Sequence, residues 1–134
     1  MNKVGDQPIS AGASDRKLTG WTERSGFTGS VIANDELVVG DSGPIAVQCR
    51  IQLTADWSPQ FGGLLTVRLL HNGSEVRTAN FANGTAALAL PSTTIAVQAG
   101  DRLSVVLTNS TANPVPHDAT VQGGSNTYLY FDAA

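Results

Sequence analysis

Apolar and polar residues alternate along most of this chain, most clearly in IAVQCRIQL, residues 45–53. One face of this stretch, if extended, consists of Ile45, Val47, Cys49, Ile51 and Leu53. The other face consists of Ala46, Gln48, Arg50 and Gln52. A period of two over this length predicts an antiparallel strand with one buried face.

The same alternation recurs in shorter stretches separated by Gly, Pro and Asn. These are LLTVRLL, SEVRTANF, TAALAL, DRLSVVLTN and NTYLYFD, with weaker examples in RKLTGWTER and ELVV. Asn72-Gly73 in LLHNGSEV is a strong hairpin signal, because both central positions of a type I′ turn require positive φ. About eight short strands without helical periodicity predict an all-β fold, a two-sheet antiparallel sandwich.

The composition limits the classes of function. The chain has 134 residues, of which 14% are charged, and a net charge of -3. Its basic residues are scattered, whereas a nucleic-acid binder presents a clustered basic face. No apolar run is long enough to span a membrane, and MNKVGDQPIS lacks the apolar core of a signal peptide. We therefore expect no nucleic-acid partner, no membrane insertion and synthesis in the cytoplasm.

The chain is expected to form one folded domain over residues 16–134, preceded by a flexible N-terminal segment over residues 1–15. The segment is rich in Gly, Ala, Ser and Asp. Terminal residues of this kind are poorly ordered unless another element holds them. We interpret this segment as the part of the chain most available to a partner.

No pattern indicates catalysis, a metal site or a cofactor. The single cysteine, Cys49, lies on the apolar face and is interpreted as a core residue. His71 and His117 are too far apart in sequence for a regular metal-ligand spacing. His117 precedes Asp118 in a proline-rich loop, but no nucleophile-elbow motif accompanies them. A calcium role for Asp101 would need several further oxygen ligands.

Three Asn-x-Ser/Thr sequences begin at Asn72, Asn83 and Asn109. Such sequences are glycan acceptors only in secreted proteins. Without a secretory signal, we interpret them as turn residues, because asparagine tolerates left-handed backbone conformations and bonds its own backbone.

Two tyrosines share one face of the last strand. Tyr128 and Tyr130 alternate with Leu129 and Phe131, so they point away from the core if Leu129 points into it. Outward tyrosines form a subunit contact, a ligand platform or plain surface. A subunit contact is the interpretation we favour.

Three segments, in order, resemble the head domains of the complement first-component q family. LLHNGSEV resembles a hairpin of that family, IAVQAGDRLSVVL resembles its Gly-Asp strand, and SNTYLYF resembles its last strand. DSGPIAVQCRIQL stands where the family has a long strand with aromatic residues, which are replaced here by Val47 and Cys49. The resemblance extends over roughly residues 35 to 132. It implies the jelly-roll sandwich shared with tumour necrosis factor.

The resemblance also implies a homotrimer. In the family, the long central strand and the last strand lie side by side in the sheet that faces the threefold axis. Carried over to this chain, it implies a set of subunit-interface residues. They are Gln48, Arg50, Gln52, Tyr128 and Tyr130.

A jelly roll of low charge without a collagen stalk resembles bacteriophage head-decoration and minor tail proteins. The leading hypothesis is therefore a non-enzymatic structural protein of the virion, assembled in the host cytoplasm. As a capsid decoration trimer, it would bridge several shell subunits, and multivalency would strengthen modest contacts. In the N-terminal segment, Val4, Gln7 and Ile9 are expected to contact the capsid or tail partner.

The alternative hypothesis is a tail-associated fibre, or a receptor- or carbohydrate-binding module. It would use loops at one end of the sandwich, over residues 56–63 and 111–124. Trp57 could stack on a sugar there, and Phe61 lies in the same loop.

Overall fold

The computed structural model describes residues 1–27 and 30–134, and this part of the chain contains fourteen strands. The strands are β1 (Asn2–Lys3), β2 (Gln7–Ile9), β3 (Arg16–Lys17), β4 (Trp21–Thr22), β5 (Val31–Ala33), β6 (Glu36–Val38), β7 (Gly43–Trp57), β8 (Leu65–His71), β9 (Ser74–Asn80), β10 (Thr85–Ala89), β11 (Thr93–Val97), β12 (Arg102–Asn109), β13 (Ala119–Val121) and β14 (Gly124–Ala133). The described residues include no helix, and hence none that could cross a membrane.

The strands form two antiparallel sheets. The larger sheet has the order β2-β13-β7-β14-β1-β4, and β10 and β11 also pair with β7. The smaller sheet has the order β5-β6-β12-β8-β9, and β3 also pairs with β12. The predicted all-β, two-sheet architecture is confirmed, and the sandwich is jelly-roll-like.

The larger sheet is built around β7, whose alternation decides which side chains are buried. Its inward residues, from Ile45 to Leu53, are at most 6% exposed, and the residues between them are half-buried. The predicted buried row, including Cys49, is therefore confirmed. Pro44 lies near the start of the strand, where a missing N–H is tolerated.

In the smaller sheet, β8 is paired with β12 along its whole length, from Leu65–Asn109 to His71–Leu103. The β12 residues Leu103, Val105 and Leu107 enter the core. The predicted hairpin between β8 and β9 is also confirmed, since Asn72 and Gly73 have φ angles of 50° and 82°. These values match the type I′ turn.

Several short strands were not predicted, because two or three residues cannot display a period. They are β1, β2, β5 and β13, and β11 was missed as well. RKLTGWTER was interpreted as a single strand, but it divides into β3 in the smaller sheet and β4 in the larger. Gly20 lies at this crossing with a φ of 73°, and a Cβ there would lie 2.9 Å from the carbonyl oxygen of Val4.

Residues 1–15 belong to the sandwich, in contrast to the expectation of a separate flexible segment. β1 lies between β14 and β4, and β2 pairs with β13. Met1 and Ile9 are fully buried, and Ala13 is 7% exposed. The polar composition of the segment conceals this packing, because only a few of its side chains enter the core.

Asn109 connects the start of the chain to the loop that follows β12. Its side-chain amide donates to the carbonyl oxygens of Ile9 and His117, at 3.0 and 2.8 Å. Its side-chain oxygen accepts from the backbone N–H and the hydroxyl of Thr111. The side chain is fully buried and fully hydrogen-bonded. Asn109 is thus a buried anchor, and it also makes the backbone bond predicted for a turn residue, because its side-chain oxygen accepts from the N–H two residues further on.

Replacing Ile9 by alanine tests whether the N-terminal residues are part of the core. We expect Ile9→Ala to lower the free energy of unfolding by about 2 to 5 kcal/mol, because it leaves a cavity in a packed interior. Val4→Ala is the matched control, since Val4 is 57% exposed. It should change stability by less than about 0.5 kcal/mol. Urea titration measures both, and equal small effects would contradict the packing.

Candidate interaction face

The structure brings the five residues predicted for a subunit interface together on one outward surface, here called the β7–β14 face. Tyr128 pairs with Arg50 and Tyr130 with Gln48 across the two strands. Gln52 follows on β7, and its side-chain oxygen accepts from Arg50 Nη2 at 3.0 Å. All five side chains are half-buried. The alternation that buries Cys49 and Leu129 places these residues on the opposite surface.

An aromatic stack with an arginine on top orders the tyrosines of this face. The ring centroids of Tyr128 and Tyr130 are 5.4 Å apart, and Phe27 lies 4.8 Å from Tyr130. The Arg24 guanidinium lies 4.2 Å from the Tyr128 ring centroid and donates to Asn2 Oδ1 at 2.6 Å. This is cation–π geometry. Ordered side chains lose less entropy when a partner binds.

Sequence reasoning missed Arg24 and Phe27. Both precede β5 and lie about a hundred positions before the tyrosines along the chain. No hydrophobic or polar periodicity connects the segment that contains Arg24 and Phe27 with the strand that contains the tyrosines. The one available signal was chemical, because arginine and aromatic side chains attract one another.

Hydrogen bonds also hold the polar side chains of the face in place. Arg50 Nη1 donates to the carbonyl oxygen of Asn126 at 2.7 Å. Gln48 Nε2 donates to Ser92 Oγ at 2.7 Å. The β7–β14 face is therefore an ordered surface with few free rotamers.

The two sheets carry charge differently on their outward sides. On the smaller sheet, acidic and basic side chains form ion pairs: Lys17–Glu36, Arg102–Glu36, Arg68–Asp15 and Arg68–Glu75. None of the five residues of the β7–β14 face is acidic. Interface cores are enriched in Tyr and Arg and depleted in Lys, Asp and Glu. This contrast favours the β7–β14 face as a contact surface.

The three N-terminal residues expected to contact a partner do not share one surface. Val4 is exposed, whereas Ile9 is fully buried and offers no surface to a partner. Gln7 is occupied within the chain, because its amide donates to Lys17 O and accepts from Thr19 N, both at 2.9 Å. The expectation for Ile9 fails because its side chain fills the core between the sheets.

The two loops of the alternative hypothesis meet at one end of the sandwich. The Ser110 backbone N–H donates to the Leu64 carbonyl oxygen there, and the Leu64 N–H donates to Ser110 Oγ. A Cβ on Gly63 would lie 2.6 Å from Thr111 Cγ2. A cleft of about 200 Å³ lies between the loops and is lined by Phe61, which is 73% exposed.

Trp57, by contrast, does not reach this surface. It is 2% exposed, and its ring packs edge-on against His117 at 5.0 Å between centroids. The expectation that Trp57 stacks on a sugar therefore conflicts with its burial. The tryptophan ends β7 on the core side, after three exposed residues that interrupt the alternation of the strand.

The thiol and the possible metal ligands of the chain lie in surroundings that do not favour chemistry. Burial raises the pKa of the Cys49 thiol to about 12, so the thiolate does not form near neutrality. Within residues 1–27 and 30–134, no group of three or more His, Cys, Asp or Glu could hold a metal ion.

Asp101 closes one end of the smaller sheet. Its carboxylate accepts from the backbone N–H of Gln98 at 2.9 Å and from Asn72 Nδ2 at 3.0 Å, and it lies 2.8 Å from His71 Nε2. These hydrogen bonds, that of Gln98 foremost, lower the pKa of Asp101 to about 2. The carboxylate thus joins the β8–β9 hairpin to the turn before β12.

The chain matches no protein-family model and no curated protein sequence.

The Asp101 contacts predict a dependence of stability on pH. A carboxyl whose folded pKa is about 2, below its ordinary 3.8, stabilises the fold above that ordinary value. The contribution is lost as pH falls from 3.8 towards 2. The difference in unfolding free energy between wild type and Asp101→Asn should therefore be full at neutral pH and shrink over this window.

Urea titrations at a series of pH values measure this difference. Asp41→Asn is the control, because Asp41 is exposed. A difference for Asp101→Asn that stayed constant down to the acid limit would contradict the role of the ionised carboxylate.

Proposed function

We propose that this chain is a non-enzymatic structural protein that self-assembles through the β7–β14 face, most simply as a homotrimer. The observation that carries the proposal is the ordered stack of Arg24, Tyr128 and Tyr130 beside a face whose five named residues include none that is acidic. Aromatic and arginine side chains held in this way are typical of the residues that dominate binding at interfaces.

The sheet order supports a threefold arrangement. β7 and β14 are neighbours in the larger sheet, with a continuous register from Tyr128–Arg50 to Ala133–Ile45. The resemblance to complement first-component q heads implies that such a strand pair faces the threefold axis. The ion-paired surface of the smaller sheet is suited to face solvent.

We place this assembly on a bacteriophage particle, as a capsid decoration protein located in the virion. A trimer presents three copies of each surface, so that weak contacts with several shell subunits combine into firm attachment. Among the N-terminal residues proposed to contact the shell, Val4 has the exposed side chain that this role needs.

The solution mass of the protein tests the proposed assembly. Light scattering coupled to size exclusion should give three chains of 13.9 kDa. The double variant Tyr128→Ser and Tyr130→Ser should give the mass of a single chain, because it removes the aromatic contact area. Phe61→Ala is the control, since it removes an exposed aromatic ring elsewhere and should leave the mass unchanged. A single-chain mass for the wild type would overturn the proposal.

A second function, a receptor- or carbohydrate-binding module of a tail, is favoured by the loop end of the sandwich. Phe61 and Leu64 are 73% and 51% exposed beside the 200 Å³ cleft. An exposed aromatic ring in a concave site is suited to stack on the apolar face of a sugar.

Sedimentation with purified phage heads, together with a glycan-binding assay, separates the two functions. A decoration trimer should sediment with heads, lose this binding in the double tyrosine variant and keep it in Phe61→Ala. A loop-end module should bind a glycan, lose that binding at least about tenfold in Phe61→Ala and keep it in the tyrosine variant. Sedimentation unaffected by the tyrosine changes would count against decoration through a trimer.

A further inference from the structure

We propose that a cavity between the two sheets binds a small neutral aromatic molecule of one or two fused rings. The cavity has a volume of about 220 Å³, and its lining includes residues of β5 and β6 on one side and of β14 on the other. These residues belong to a single chain, so the site does not depend on the proposed self-assembly.

The walls of the cavity are mainly apolar. Three aromatic side chains contribute to them, those of Phe27, Tyr130 and Phe131. Val31 and Leu37 add aliphatic surface. Cavities with such walls bind ligands chiefly through the release of apolar surface from water.

The lining also lacks charged side chains among the described residues. The cavity beside Trp57 differs in this respect, since Asp56, His117 and Asp118 line it. An ion that leaves water without meeting a counter-charge loses its hydration uncompensated. The cavity between β5, β6 and β14 therefore favours a neutral molecule.

The polar groups in the lining are engaged within the chain. Ser30 Oγ donates to the carbonyl oxygen of Phe27 at 2.6 Å. The Met1 amino group donates to the carbonyl oxygen of Leu129 at 2.6 Å, and burial lowers the pKa of this amine to about 6. A water molecule in a cavity needs about two to four polar partners. An apolar molecule is therefore better suited to this space than ordered water.

Gly40 leaves open a part of the wall that a side chain could fill. Its φ lies outside the left-handed region, so the backbone does not require glycine there. A Cβ on Gly40 would have no atom within 4 Å. Protein interiors are otherwise closely packed, and an unfilled apolar cavity loses dispersion contacts. A ligand in the cavity restores these contacts.

The volume and the aromatic walls set the size and type of the ligand. An apolar cavity of about 150 Å³ accommodates benzene. The present cavity, about half as large again, suits one or two fused rings. The ring centroids of Phe27 and Tyr130 are 4.8 Å apart, and both rings line the space. Aromatic ligands gain from offset or edge-to-face contacts with such rings.

Equilibrium dialysis with 2-naphthol near neutral pH tests the proposal, because this probe has two fused rings and is neutral there. The wild type should bind one molecule per chain with a dissociation constant below about 1 mM. 2-Naphthalenesulfonate has the same rings with a negative charge and should bind at least about tenfold more weakly. Absence of saturable binding of 2-naphthol, or tighter binding of the sulfonate, would overturn the proposal.

Two variants locate the binding in this cavity. Gly40→Leu fills the space and should weaken binding of 2-naphthol at least about tenfold, without lowering the thermal unfolding midpoint, because cavity filling does not destabilise a fold. Phe27→Ala removes an aromatic wall and should also weaken binding. Ala82→Leu changes an exposed alanine outside the lining and should bind as the wild type does. Binding that neither Gly40→Leu nor Phe27→Ala weakens would overturn the assignment to this cavity.

A side chain from a second copy of the chain is the competing occupant. In that case, saturating 2-naphthol would dissociate the assembly in light scattering, and Gly40→Leu would dissociate it too, which would overturn the small-molecule site. A solution mass that 2-naphthol leaves unchanged supports the site, both for a trimer and for a single chain. A single-chain wild type that binds 2-naphthol would therefore overturn the proposed self-assembly and leave this site standing.

Discussion

Hydrogen bonding along both edges of β7 is the constraint on which the rest of the structure depends. One edge pairs with β11 and β10, and the other with β14 and β13. Because side chains alternate along a strand, burying Cys49 and Ile51 also fixes Arg50 on the outward surface. A slip of one residue would exchange the two rows. The core and the β7–β14 face therefore have a common origin in one register.

The outward surfaces of the two sheets differ in how their charges are neutralised. On the smaller sheet, Glu36 lies within ion-pairing distance of both Lys17 and Arg102. On the larger sheet, Arg50 bonds only to neutral oxygens among the described residues. Exposed ion pairs contribute little to stability but keep a surface compatible with water. An arginine without an acidic partner is also compatible with water, because water hydrates its guanidinium. When the surface is buried against another molecule, that molecule has to replace the lost hydration.

The first residues of the chain connect the two layers. β1 adds to the edge of β14 beneath the aromatic stack, and Ile9 enters the core beside the side-chain amide of Asn109. Arg24 then returns to bond Asn2 and to cover Tyr128. The ordering of the candidate interaction face therefore depends on a segment whose composition predicted mobility.

The sequence by itself determined the class of fold, the buried row of β7, the Asn72-Gly73 hairpin and the grouping of Gln48, Arg50 and Gln52 on one side. Each of these features depends on residues close together in the sequence or on strand alternation, and both can be seen within one short segment of the chain. The tertiary structure alone decided the burial of Ile9 and Trp57, the anchoring by Asn109 and the meeting of Arg24 with the tyrosines. Each of these depends on contacts between segments that are distant in the sequence. Strands of two or three residues are too short to show a period from which such contacts could be predicted.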